Sequence, residues 1–321
     1  MTIILMLVGL VLLVKGADWL VEGASFFARK AGVSEFVIGL TIVGFGTSCP
    51  ELVVSLTGAF EGNADISVGT VIGSNIFNTL FILGVTSLLF PVSMKKINRN
   101  RDIPAYLATC AIVLDMGMGG LLLGKADGED IISTGEGIIM LLIFAVYLVF
   151  CFKTDSAQET DGAASQIKEN RSTAVSVAMI AAGLGCLIFG GDLLVDNAVL
   201  LAKSMGVSDK FIAVTILAGG TSLPELATSI AAALKKQEQL ALGNIMGSNI
   251  FNALFILGSA AVVTPLSFSS MDAVDAGVLI LSAVLLLIWT FTGKKNRIDR
   301  WEGGVMLLCF IAYYVYIFNK L

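Results

Sequence analysis

Apolar stretches of about 20 residues follow one another along this chain, separated by short polar breaks. A helix needs roughly 20 such residues to cross a hydrocarbon core of about 30 Å. Ten stretches can be marked, at residues 2–28, 34–58, 66–90, 103–123, 134–152, 173–202, 209–234, 239–264, 273–292 and 302–319. The pattern predicts an all-α polytopic membrane protein with ten transmembrane helices. Residues 154–171 are polar and rich in small side chains, as expected of a cytoplasmic linker between a first half, 1–153, and a second, 172–321. The N-terminus turns apolar at once, with no basic region or small-residue cleavage site before Lys15, and reads as a retained first span.

The second half repeats the first. Residues 16–84 align without a gap on residues 190–258, with 32 identities in 69 positions. Each half has five spans, an odd number, so the second copy must enter the membrane from the side opposite to the first. The expectation is two inverted-topology five-helix repeats meeting near the bilayer midplane, an arrangement suited to alternating access.

Composition supports the membrane reading and removes several functions. Of the 321 residues 56% are hydrophobic and only 14% charged, too few charges for a soluble surface. The net charge of −5 resides in the loops, and no basic tract argues for a nucleic-acid partner. With no histidine, the commonest transition-metal ligand and the usual neutral-pH proton relay are both missing. The five cysteines, at 49, 110, 151, 186 and 309, show no paired spacing and read as small packing residues. Loops after odd-numbered spans carry 15 Lys and Arg residues and the opposite loops carry 4, which places the odd loops in the cytoplasm and both termini outside.

Identity between the copies peaks twice, at GTSCPELVVS (46–55) with GTSLPELATS (220–229), and at GSNIFNTLFILG (73–84) with GSNIFNALFILG (247–258). Both motifs fall in mid-span. Pro50 and Pro224 remove backbone donors and so free carbonyls one turn earlier. A freed carbonyl in hydrocarbon costs several kcal/mol unless protein, water or an ion caps it. Each proline is followed by a carboxylate, Glu51 or Glu225, and an acid at span centre costs about 2.5–3.5 kcal/mol on insertion scales. The oxygens gathered around them are the hydroxyls of Thr47, Ser48, Thr221 and Ser222 at the breaks. Ser74 with Asn78, and Ser248 with Asn252, add to these from one helix face each. Such a set of hard donors selects hard cations, and Ca2+ accepts six to eight flexible oxygens. Two ionised glutamates give −2, which one Ca2+ or two monovalent ions neutralise. An empty −2 site is costly to occlude at low dielectric, so the protein could not return unloaded. Two protons would balance the charge equally well.

The paired motifs GTSCPEL…GSNIFN and GTSLPEL…GSNIFN resemble the α-repeats of the cation/calcium exchanger superfamily, most closely its prokaryotic sodium/calcium exchanger branch. The resemblance covers the ten-span layout. It implies two four-span cores holding the ions and a long first helix in each half that slides across them. It implies Glu51 and Glu225 as central calcium ligands, with Thr47 and Thr221 adding backbone carbonyls and hydroxyls. Ser48, Ser222, Ser74, Ser248, Asn78 and Asn252 match sodium and flanking ligands, and Gly44 and Ala218 match positions that lend carbonyls. At position 252 several relatives, including the potassium-dependent exchangers, carry Asp where this chain has Asn. That argues against potassium cotransport and leaves any third sodium to neutral oxygens.

Other residues carry blander readings. Asn75 and Asn249 are expected to act as interhelical hydrogen-bond glue. Asp18, Glu22, Asp192 and Asp196 recur at the repeat offset and could line an ion path or serve as helix-end acids. Asp115 has no counterpart and reads as a capped or water-facing acid. The loop KADGEDIISTGE (125–136) lacks the spacing of a calcium-binding helix-loop-helix and reads as a solvated face. Trp301, Phe310, Tyr313, Tyr314, Tyr316 and Phe318 read as interface anchors.

The leading expectation is a secondary antiporter of the cell membrane that exchanges Ca2+ for Na+, with no cofactor and no obligatory protein partner. A Ca2+/H+ antiporter is its rival. An intramembrane hydrolase using the two glutamates as an acid/base pair is a distant third, since no activated nucleophile accompanies them.

Overall fold

The computed structural model describes residues 1–119, 130–156, 172–206, 218–269, 271–292 and 296–320, and they are predominantly helical. The helices are α1 Thr2–Ala31, α2 Glu35–Thr47, α3 Cys49–Phe60, α4 Ala64–Leu89, α5 Ile103–Gly117 and α6 Thr134–Ser156 in the first half. They continue with α7 Thr173–Ser204, α8 Leu223–Leu234, α9 Glu238–Val263, α10 Ala273–Trp289 and α11 Arg300–Lys320. Among the described residues six of these, α1, α4, α6, α7, α9 and α11, are individually long and apolar enough to cross a membrane. The broken pair α2–α3 qualifies as a seventh span when taken together. Most of linker 154–171, and residues 125–129 of the acidic loop, lie outside the described residues.

The chain forms two compact units, and each draws on both copies of the repeat. Unit 1 comprises Met1–Thr47 and Val146–Gly247; unit 2 comprises Ser48–Ala145 and Ser248–Leu321.

In unit 1, α1 and α7 run antiparallel and meet along glycines spaced seven apart. A methyl group on Gly9 would lie 2.8 Å from the Gly190 carbonyl, one on Gly16 2.8 Å from the Gly183 carbonyl, and one on Gly23 2.9 Å from the Ser176 carbonyl. Small residues let two membrane helices approach to backbone contact, where dispersion supplies the attraction that water cannot. The apolar core beside this seam contains Leu13, Leu20, Val21, Leu187, Ala232 and Leu240. Helix α1 ends at Gly32, whose φ of 61° closes the helix, and Ser34 caps α2 by accepting from the Val37 N–H at 3.2 Å.

In unit 2, two short antiparallel ladders tie the copies together: β1 Val92–Ser93 pairs with β4 Arg297–Ile298, and β2 Ile131–Ile132 pairs with β3 Leu266–Ser267. Its core contains Leu80, Leu83, Ile103, Tyr106, Leu254, Leu257 and Met306, all buried. The aromatic end of α11 divides. Trp301 and Phe318 are exposed, in keeping with interface anchoring, whereas Phe310 is buried against Phe77 and Phe81 and Tyr313 is buried with its hydroxyl on Asp275 at 2.8 Å. Packing within the unit thus claims two rings that sequence alone assigns to the interface.

All five cysteines are free thiols. Cys110 and Cys151 are buried, and the other three are half-buried.

Candidate functional site

The helix breaks occur where the prolines place them. Helix α2 stops at Thr47, Ser48 takes φ −85° and ψ 9°, and α3 resumes with Pro50 in its first turn. In the second copy Ser222 takes φ −89° and ψ 8° ahead of Pro224 in α8. The same sequence has produced the same local backbone twice. In each copy the helix restarts with a bond to the serine carbonyl, from Leu52 N–H and from Leu226 N–H, both at 3.1 Å. Glu51 and Glu225 fall in these first turns, where the amino-terminal end of a helix dipole favours negative charge.

Unit 2 contains Ser48, Glu51, Ser74, Asn78, Ser248 and Asn252, all buried. Ser74 donates from Oγ to Oε1 of Glu51 at 3.3 Å. Asn78 and Asn252 are 0% exposed, and neither amide has a hydrogen-bond partner among the described residues. Each lies in a stretch of widened, π-type helix, Phe77–Ile82 in α4 and Phe251–Ile256 in α9. Such bulges interrupt the regular ladder and recur at functional sites. The sequence gives no warning of them. A buried amide without partners costs about 1–3 kcal/mol, and the two oxygens are available to a cation.

Unit 1 contains Gly44, Thr47, Ala218, Thr221, Ser222 and Glu225. Thr47, Ser222 and Glu225 are 0% exposed, Gly44 is buried and Thr221 half-buried; Ala218 opens a short helical turn, Ala218–Gly220, and its side chain lies outside the described residues. The Thr47 hydroxyl reaches the Gly44 carbonyl at 3.5 Å and Asn244 Oδ1 at 3.3 Å. Asn244 Nδ2 in turn donates to the Glu225 carbonyl at 3.3 Å and to Ser229 Oγ at 2.9 Å. Asn244 is the residue that sequence reasoning missed. Its repeat counterpart is Thr70, so a search for identities between the copies passes over it.

The remaining polar residues sort by their partners. Asn75 donates to the Asn249 carbonyl at 3.1 Å, and Asn249 donates to Thr79 Oγ1 at 2.8 Å, as structural glue does. Asp18 and Glu22 form ion pairs with Lys235 at 3.1 and 3.4 Å, while Asp192, Asp196 and Asp115 are exposed. Two further carboxylates are fully buried. Asp102 pairs with Arg101 at 2.7 Å; Glu302 accepts from Thr292 Oγ1 at 2.5 Å and from the Asp299 N–H at 2.7 Å. Burial alone therefore does not mark a ligand. Among the described residues no three acidic, cysteine or histidine side chains gather to hold a metal.

Fold and site together define the class, an integral membrane protein whose interior carries carboxylates among hard oxygen donors. Comparison with known proteins gives the family. The model of the sodium/calcium exchanger protein family matches residues 1–153 and 175–319, and the chain belongs to that family of cation antiporters. It is 33% identical over 347 residues to the sodium/calcium exchanger MaX1 of Methanosarcina acetivorans, covering 98% of each chain. It is 36% identical over 303 residues to the inner membrane protein YrbG of Escherichia coli, covering 91% of this chain and 90% of that one. Among solved structures, the sodium-calcium exchanger NCX_Mj soaked with Na+ in the absence of Ca2+ superposes with a TM-score of 0.82 at 32% identity, covering 100% of this chain and 98% of that one.

Proposed function

We propose that this protein exchanges Ca2+ for Na+ across the cell membrane by alternating access, with Glu51 and Glu225 as ligands shared by the two ions. The observation that carries the reading is the duplicated burial of these glutamates, each in the first turn of a helix that restarts after a proline break. Two carboxylates supply the −2 that one Ca2+ or two Na+ neutralise, and the buried amides of Asn78 and Asn252 add neutral oxygens of the kind Na+ accepts. Thr47, Thr221, Ser48, Ser222, Ser74 and Ser248 complete the shell, and Gly44 and Ala218 lend carbonyls. The similarity to MaX1 and NCX_Mj, both named as sodium/calcium exchangers, supports the choice of ions.

In this reading the ten spans form two inverted five-helix repeats, 1–153 and 172–321, with 154–171 as a cytoplasmic linker and both termini outside. The glycine-seamed pair α1 and α7 moves across the ion-binding helices. An empty site holding two charges resists occlusion, and this couples the two fluxes.

The test is uptake of radioactive calcium by vesicles containing the purified protein, driven in turn by an outward sodium gradient and by a pH gradient. Uptake with sodium alone is expected; uptake driven by pH alone would establish proton exchange instead.

A further inference from the structure

Asn244 lies outside both duplicated motifs, is 0% exposed, and joins the two copies of the first. Its Oδ1 accepts from the Thr47 hydroxyl at the end of α2, and its Nδ2 donates to the Glu225 carbonyl and the Ser229 hydroxyl in α8. Both hydrogens and the oxygen of the amide are thus committed. The backbone fixes its place. A methyl group on Gly243 would run into the Phe36 carbonyl, and one on Gly247 would lie 2.5 Å from the Leu40 carbonyl, so α2 and α9 touch through their main chains on either side of this residue. A side chain at 244 can reach both breaks only because neither helix has bulk in the way.

We propose that Asn244 is a positioning residue that sets the affinity for the divalent cation, on the exchange reading given above. By accepting the Thr47 proton at 3.3 Å, closer than the Gly44 carbonyl at 3.5 Å, it orients that hydroxyl and leaves its lone pairs to a cation. By holding the Glu225 carbonyl and Ser229 it fixes the turn from which the Glu225 carboxylate projects. An aspartate would keep the acceptor and lose the donors, a leucine of similar volume would lose both, and the first-copy residue threonine is too short to span them.

Exchange by the full chain in vesicles, measured against calcium concentration, tests this. Asn244→Leu is expected to raise half-saturating calcium about tenfold while the maximal rate stays within about twofold, a loss of about 1.4 kcal/mol in binding. In a Thr47→Val background the same substitution is expected to add less than it does alone, because the partner of the amide oxygen is already gone while the contacts to the Glu225 carbonyl and Ser229 remain. Calcium-induced stabilisation against heat in detergent, read separately from transport, should shrink in Asn244→Leu and in Asn244→Asp. Unchanged half-saturation and stabilisation in these variants, a fall in maximal rate alone, or full additivity with Thr47→Val would overturn the proposal. If Asn244→Leu does not fold, Asn244→Ala with Thr47→Val carries the same comparison. An unaltered protein that calcium neither stabilises nor drives would overturn the exchange reading and this proposal with it, whereas a responsive protein with insensitive variants overturns this proposal alone.

Discussion

Ser74 and Glu51 come from the two motifs of the first repeat, 23 residues apart in the chain, and meet in a hydrogen bond of 3.3 Å with both side chains removed from solvent. The hydroxyl is the donor, so it steadies one carboxylate oxygen. On the exchange reading each of these carboxylates supplies charge to the cation, so Glu51→Gln and Glu225→Gln are each expected to abolish calcium flux. Ser74→Ala removes one hydrogen bond to a charged group, worth about 1.5–3 kcal/mol, and should raise half-saturating calcium about tenfold or more. Normal flux in both glutamine variants would discard the site.

The glycine seam makes a contrast within one helix pair. At Gly16 a methyl group would meet the Gly183 carbonyl at 2.8 Å and Cys186 Cβ at 2.9 Å, whereas at Gly185 nothing lies within 4 Å. Gly16→Ala is expected to cost about 1–3 kcal/mol through overpacking, seen as a lower unfolding midpoint in detergent. Gly185→Ala should be neutral or stabilising by up to about 1 kcal/mol through helix propensity.

Lys235 bridges Asp18 and Glu22 across α1 and the end of α8, yet its side chain is 28% exposed and those of the acids 38% and 42%. Solvent screens such a cluster, so Lys235→Gln should cost no more than about 1 kcal/mol, with the difference shrinking in high salt. A loss several times larger in a thermal melt would show that the cluster does more than pair charges.

Asp272 caps α10 and receives Lys320 at 2.7 Å and Tyr316 at 2.8 Å. Partial burial alone would raise its pKa, but the bonds from Lys320, the Asp275 N–H and Tyr316 outweigh it and hold the carboxyl well below its usual range. A depressed folded value stabilises the fold at pH above the ordinary aspartate value, near 4, and that contribution is lost as pH falls further. The cluster should therefore contribute no change in stability between pH 5 and 8 and a decline below about pH 4. Asp272→Asn is expected to reduce that acid decline in pH-dependent melts.

How much of this was legible in the sequence can be judged residue by residue. The breaks at Ser48 and Ser222 follow from proline chemistry, which is local and needs no neighbour. The burial of Glu51 and Glu225 followed from their mid-span position and duplication, since an acid there is retained only for use. Asn75 and Asn249 were recognised as glue, but their partners were not. Asn244 was invisible because its partners, Thr47 and Glu225, come from two other helices, and one of these, α2, meets α9 through glycines 39 and 243. Phe310 and Tyr313 were misplaced because an aromatic near a helix end looks alike whether it faces lipid or a neighbouring helix.

The sequence by itself determined the apolar segments, the duplicated broken helices and the identity of the acids, because hydrophobic length, the missing proline N–H and the repeat act along the chain. Only the tertiary structure decided which backbones touch, which asparagine joins the breaks, where the helices widen around Asn78 and Asn252, and which ladders bind one copy to the other. Those are contacts between segments far apart in sequence, and they are fixed by how closely two surfaces approach, a property that no single segment carries.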